Sequence, residues 1–295
     1  MKQTSLIFLF ILLVVAGCVN EKATSVTSGA MLLSSSNKPA NVLEATGSPD
    51  LKQTETPDPL PPLPDTIKLT FRPLQLESLQ PGKSDSAWKR LKSVPFGTDM
   101  QGEMTLTLYE ESKDDVYFPK QWNGVLQDKR RSYLIRDLSY SFGQAGANQE
   151  PPNVIVFNRF ISGQERYKLI GAIEMNANGP GLYLLIVEDA KSGELAGFEE
   201  WGTPGFIDLD GDGADEFIVE FQGLHLSWPD LLLIRPENGN LVAASVLQSV
   251  RRNHEDLAVL NRISKPPVID ISNIMSEHEP VYEYSYRNGI LTLTK

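Results

Sequence analysis

Reactive side chains are scarce in this sequence. One cysteine, Cys18, and three histidines, His225, His254 and His278, serve 295 residues. A single thiol excludes an internal disulfide, and with no Cys–His arrangement around it, thiol catalysis is excluded too. None of the histidines stands at a metal-ligand spacing from another. No Gly-x-Ser-x-Gly elbow occurs, and Asn178-Gly179-Pro180-Gly181 lacks the lysine and helix that follow a phosphate-cradling loop. Basic residues are in deficit: 27 Lys plus Arg stand against 38 Asp plus Glu, a net charge of −11. Nucleic-acid affinity rests on neutralising phosphates with basic residues, so this balance excludes it. It also works against docking on anionic lipid through charge alone.

Long apolar runs are missing as well, except at the start. Leu6 to Ala16 is an unbroken apolar run of eleven residues after Lys2. A membrane span needs about 20, whereas a signal-peptide h-region is this short. The run closes on Val15-Ala16-Gly17-Cys18, which resembles a bacterial lipoprotein lipobox. The resemblance implies that residues 1–17 are a removed signal peptide and that Cys18 is acylated as the new N-terminus. The protein would then be lipid-anchored in the cell membrane, facing outside the cytoplasm. A plain secretory peptide with an incidental cysteine is the alternative.

Residues 18–66 read as a tether. They are rich in Ser, Thr, Pro and Asn, and include SSSNKPAN and TETPDPLPPLPDT. Too little apolar surface is present here to offset the entropy of ordering, and the prolines from Pro57 to Pro64 favour extended polyproline II. Pro59 to Pro64 also fits a PxxP ligand for a partner domain. Folded sequence begins near Ile67 and runs to Lys295 without a second biased linker.

Over 67–295 the hydrophobic period is mostly two. Met104–Leu108 alternates, and Val154–Phe157, Lys168–Ile173, Leu182–Val187, Phe217–Phe221 and Leu231–Ile234 are runs of buried-strand length. Ser192-Gly193, Asn238-Gly239 and Asn288-Gly289 sit between them as hairpin turns. Helical signals are few. Ser86–Lys92 fits one or two turns, and Val246, Val250, Leu257, Leu260 and Ile263 fall on one helical face within 245–263. The expected fold is mainly β: antiparallel sheets, propeller-like or sandwich, with one helix near 245–263.

The densest chemistry lies in GFIDLDGDGADEFIV, residues 205–219. Like charges set this close raise one another's pKa, and a cation relieves them. Counting from Asp208 gives Asp at positions 1, 3 and 5 (Asp208, Asp210, Asp212), Gly213 at 6, Ala214 at 7 and Glu216 at 9. Alternate carboxylates on a tight loop can point inward, which suits calcium's six to eight oxygen ligands, and Asp215 then points outward. An EF-hand needs its closing Glu at position 12, where Val219 stands.

The spacing D-x-D-x-D-G-x-x-E before an apolar strand resembles instead the calcium loops of FG-GAP and VCBS-type repeats. The resemblance implies a structural Ca²⁺ held by the side chains of Asp208, Asp210, Asp212 and Glu216 and by the carbonyl of Ala214. Family loops often carry Asp at position 9, so Glu216 departs from the pattern. An acidic turn without metal is the alternative.

Two further features bear on function. Ala172–Leu185 overlays Phe206–Val219 at an offset of 34, with Glu174, Asn176, Asn178 and Gly179 at positions 1, 3, 5 and 6 and Leu182 at 9. It is either a metal-free relic of the same unit or a coincidence. Glu199-Glu200-Trp201 is the best carboxylate pair for glycoside chemistry, but adjacent strand residues face opposite ways. The sequence therefore reads as a calcium-stabilised binding or scaffold module outside the cytoplasm, with an envelope protein or glycan as its ligand. A cell-envelope hydrolase acting on glycan or peptide is the second expectation.

Overall fold

The computed structural model describes residues 60–115, 119–140, 151–163, 165–175, 181–224, 227–250, 252, 255–274 and 280–294. The signal peptide, Cys18 and most of the tether lie outside them. So do the three histidines and residues 176–180 of the second loop. No helix among the described residues is long and apolar enough to cross a membrane.

Four antiparallel five-stranded sheets make up the body. Sheet I folds as a meander of β5 (Lys89–Asp99), β6 (Gly102–Ser112), β7 (Lys120–Gln127) and β8 (Ser132–Tyr140). Sheet II follows with β9 (Val154–Phe160), β10 (Tyr167–Met175), β11 (Leu182–Asp189) and β12 (Glu194–Trp201). Sheet III holds β13 (Thr203–Ile207), β14 (Glu216–Phe221), β15 (Asp230–Glu237) and β16 (Asn240–Ser245). Sheet IV holds β17 (Asp256–Asn261), β18 (Val268–Asn273), β19 (Tyr282–Arg287) and β20 (Ile290–Leu293).

The fifth strand of every sheet comes from one N-terminal segment. It supplies β1 (Thr66–Lys68), β2 (Arg72–Pro73), β3 (Glu77–Ser78) and β4 (Gln80–Pro81). These pair with β20, β16, β12 and β8, so the segment visits sheets IV, III, II and I in reverse chain order. Leu63, placed by composition in the tether, is 5% exposed and belongs to the core of the body.

The cores show how the sheets stack. Phe96, Leu106, Ile170 and Ile186 pack sheet I on sheet II. Leu169, Leu185, Phe217 and Ile234 pack II on III. Ile218, Leu233, Ile269 and Tyr284 pack III on IV. Among the described residues no such cluster joins I to IV. The expectation of a mainly β fold of antiparallel sheets, propeller-like or sandwich, is met in its architecture: four five-stranded sheets follow one another face to face.

Turn chemistry fixes the hairpins. Asn238 and Gly239 take φ of 49° and 80°, and Asn288 and Gly289 take 49° and 82°. Both central residues at positive φ define the tight hairpin turn whose twist matches the strands.

The helical readings shrink. Of the expected helix, α1 (Val246–Val250) alone forms among the described residues, and the face from Asp256 to Asn261 becomes strand β17. The Arg252 guanidinium bonds both oxygens of Asp256, at 2.8 and 3.1 Å, and the Asn273 amide donates to it at 3.0 Å. These contacts pin the start of the strand. Ile263 is 92% exposed, so it faces no core. Ser86–Lys92 makes a turn instead of a helix: the Asp85 carboxylate accepts the Ala87 N–H at 2.8 Å, and β5 begins at Lys89.

Candidate metal loop and its groove

The acidic loop joins the first two strands of sheet III. Strands β13 and β14 pair from Thr203↔Glu220 to Ile207↔Glu216, so residues 208–215 close the hairpin at the Glu216 end. Behind the loop, Leu209, Phe217 and Ile218 are buried, which explains why an apolar strand follows the acids directly.

Inside the loop the carboxylates organise the backbone. Asp208 accepts the Gly211 N–H at 2.7 Å and the Gly213 N–H at 3.0 Å. Glu216 accepts the Leu209 N–H at 2.8 Å, and Asp212 accepts that of Ala214 at 2.7 Å. Gly213 has φ of 90°, which a β-carbon would strain. Ligand atoms of Asp208, Asp210 and Glu216 lie within 4.8 Å of one another. Two oxygens bound to one calcium at about 2.4 Å each can be no farther apart than about 4.8 Å, a limit this trio meets.

The remaining two expected ligands are differently placed. Asp212 and Ala214 are exposed and lie outside the trio. Asp215 turns away, as the spacing suggests, to pair with Arg159 at 2.6 Å. That guanidinium sits 4.6 Å over the Phe206 ring.

Electrostatic strain in the loop collects on Glu216. Burial comes first among the causes, opposed by the Leu209 N–H and reinforced by the charges of Asp210 and Asp212; together they push its carboxyl up to about 7. A carboxylate held this high would gain from a cation at its oxygens.

The loop opens onto a groove of about 410 Å³. Arg235, Glu237 and Asn238 reach it from the β15–β16 hairpin, Tyr286 and Asn288 from β19–β20, and Ser162 from sheet II. Sequence reasoning missed these residues. Their only signal was the pair of Asn-Gly turns, which marks hairpins and says nothing of which loop they adjoin.

The 174–182 segment lies between the second and third strands of its sheet, whereas 208–216 lies between the first and second. The offset of 34 therefore matches unlike parts of two sheets, which weighs against a shared ancestor for the two loops.

Other acids are used locally. Glu199 and Glu200 face opposite ways on β12: burial raises both, with Glu77 adding to the first and Asp230 to the second. Asp230 accepts Ser245 Oγ at 2.5 Å and the amides of Leu231 and Leu247 at 2.8 and 3.1 Å. The cleft beside it, about 190 Å³, also holds Glu220, which is ion-paired with Arg262. The basic run at 128–131 holds a structural centre. Arg131 bonds Asp99, Asp128 and the Gly193 carbonyl, and both carboxylates have fully buried side chains.

The class defined so far is a stack of four antiparallel sheets with an acidic loop on the third. No protein-family model and no curated protein matches the chain. Among solved structures, Zg3597, a family 117 glycoside hydrolase produced by the marine bacterium Zobellia galactanivorans, aligns over 78% of this chain and 76% of its own. The TM-score is 0.22 at 8% identity. A likeness that slight carries no argument about either fold or chemistry.

Proposed function

We propose that this chain is a lipid-anchored extracytoplasmic module whose third sheet is stabilised by a structural calcium ion and whose role is to bind or scaffold. The convergence of Asp208, Asp210 and Glu216 oxygens within 4.8 Å, backed by a buried strand, is the observation that supports the metal. The ion would be held by these three carboxylates, with Asp212 and the Ala214 carbonyl drawn in as further oxygens. It supplies charge neutralisation and a fixed loop, and residues 208–216 themselves include no His to favour a transition metal. The polar groove beside the loop supports a ligand with hydrogen-bonding groups, such as an envelope protein or glycan. Anchoring rests on Val15-Ala16-Gly17-Cys18.

Two measurements test this reading. Calcium should raise the melting temperature of the wild-type protein by mass action and leave Asp208→Ala plus Asp210→Ala unmoved; the same gain in both removes the site. For the anchor, intact-mass analysis should show acyl mass on the wild-type protein, with Cys18→Ser lacking it and released from membranes. An unacylated wild-type protein rejects the anchor.

A further inference from the structure

The N-terminal segment has a pitch of its own. Leu69, Leu74 and Leu79 are spaced by five residues. Leu69 donates its N–H to the Gly289 carbonyl at 2.9 Å, Leu74 to Leu241 at 2.9 Å, and Leu79 to Leu195 at 3.0 Å. Gly82 completes the series, donating to Ser132 at 2.9 Å. The acceptors lie at or just before the last strand of sheets IV, III, II and I in turn. The side chains follow the same order: Leu69 enters the III–IV core, Leu74 and Leu76 the II–III core, and Leu79 the I–II core. Packed sheets lie about 10 Å apart, a distance that five residues of chain cross with some to spare.

The grip along this strap is uneven. Strands β2, β3 and β4 are two residues each and exposed. At the other end, Leu63, Ile67 and Leu69 are at most 5% exposed. Leu293 donates its amide to the Asp65 carbonyl at 2.8 Å, and Tyr284 its hydroxyl to the Pro64 carbonyl at 2.8 Å. Most of the holding contact is therefore at β1. The four meanders are built from residues outside the strap.

We propose that residues 60–82 are a releasable clasp with β1 as its catch. When β1 leaves sheet IV, β2, β3 and β4 detach with it as one unit, and the stack stays folded. Release bares the outer edges of β8, β12, β16 and β20, and bare sheet edges are where extended segments add. Local opening in cooperative units is the general behaviour on which this draws.

Amide hydrogen exchange on the full chain tests the clasp. The amides of Leu69, Leu74, Leu79 and Gly82 should exchange at one common rate, faster than those of β14 and β15. Ile67→Ala should speed all four alike, by about tenfold or more, and Leu79→Ala, which removes a partly buried side chain, should speed the same four by less. A cross-link at Thr66→Cys plus Thr292→Cys, opposed residues in β1 and β20, made with Cys18→Ser, should slow all four and spare the body. If Ile67→Ala does not fold, the cross-link decides alone. Acceleration confined to Leu69, or a cross-link that leaves Leu79 and Gly82 unchanged, overturns the proposal.

Discussion

Removing the Arg131 guanidinium should cost this protein more than any surface substitution. Arg131 ties three strand ends on two sheets: Asp99 at the end of β5, Asp128 after β7, and the Gly193 carbonyl, 2.6 Å away, before β12. Both partner carboxylates have side chains of 0% exposure, while Arg131 itself is 29% exposed. Breaking a buried pair by deleting one partner costs roughly 3–5 kcal/mol. Solvent access to the arginine reduces this, and roughly 3 kcal/mol is expected for Arg131→Ala. In a domain of this size that lowers Tm by roughly 6–12 °C.

The pH dependence is a second readout. Burial alone would raise the Asp128 carboxyl, but the amides of Arg130 and Arg131 and the Arg131 guanidinium outweigh it and hold it at about 2. A carboxyl whose folded pKa is depressed stabilises fully above its unfolded value of 3.8 and loses that contribution as pH falls toward about 2. The shift corresponds to about 2 kcal/mol. Urea titrations at pH 7 and across pH 5 to 2 should show wild type losing stability over this window. Arg131→Ala should start lower and lose less. Arg131→Lys keeps the charge without the fork and should fall between the two. Equal stability of Arg131→Ala and wild type at pH 7 would refute the reasoning.

Two further expectations concern stability. Gly239→Ala places a β-carbon against the Arg166 guanidinium at φ of 80°, and should destabilise by roughly 1–2 kcal/mol or more from the left-handed backbone alone; an unchanged urea midpoint would contradict this. Glu200 is pushed up by burial, with Asp230 adding to it, so Glu200→Gln should leave Tm at pH 7 unchanged or higher. A fall of several degrees would reveal a charged partner for that carboxylate.

Strand positions were legible because sheet faces alternate: Met104 and Leu106 are buried, while Thr105 between them is exposed. Stacking order was not, since Leu185 and Ile186, adjacent on β11, enter different interfaces. The helical face at 245–263 misled because Leu257 and Leu260 suit a period of 3.6 by chance, and Asp256 is held by Asn273, 17 residues on, as well as by the nearby Arg252. The strap was hidden by its prolines and by a period of five, which belongs to neither helix nor strand. In the loop, spacing alone marked Asp208, Asp210 and Glu216, but only folding separates them from Asp212, which caps Ala214 at the rim. The arginine centre was invisible because two of its three partners lie 32 and 62 residues away.

The claim on which the functional reading depends is that the 208–216 loop holds a divalent cation. Calorimetric titration of the full chain with calcium at pH 7 tests it most directly. One site is expected, with Kd in the range of roughly 10⁻⁴–10⁻³ M typical of extracellular modules, lost in Asp208→Ala. Absence of binding heat in the wild-type protein, or equal heat in the variant, would contradict the account.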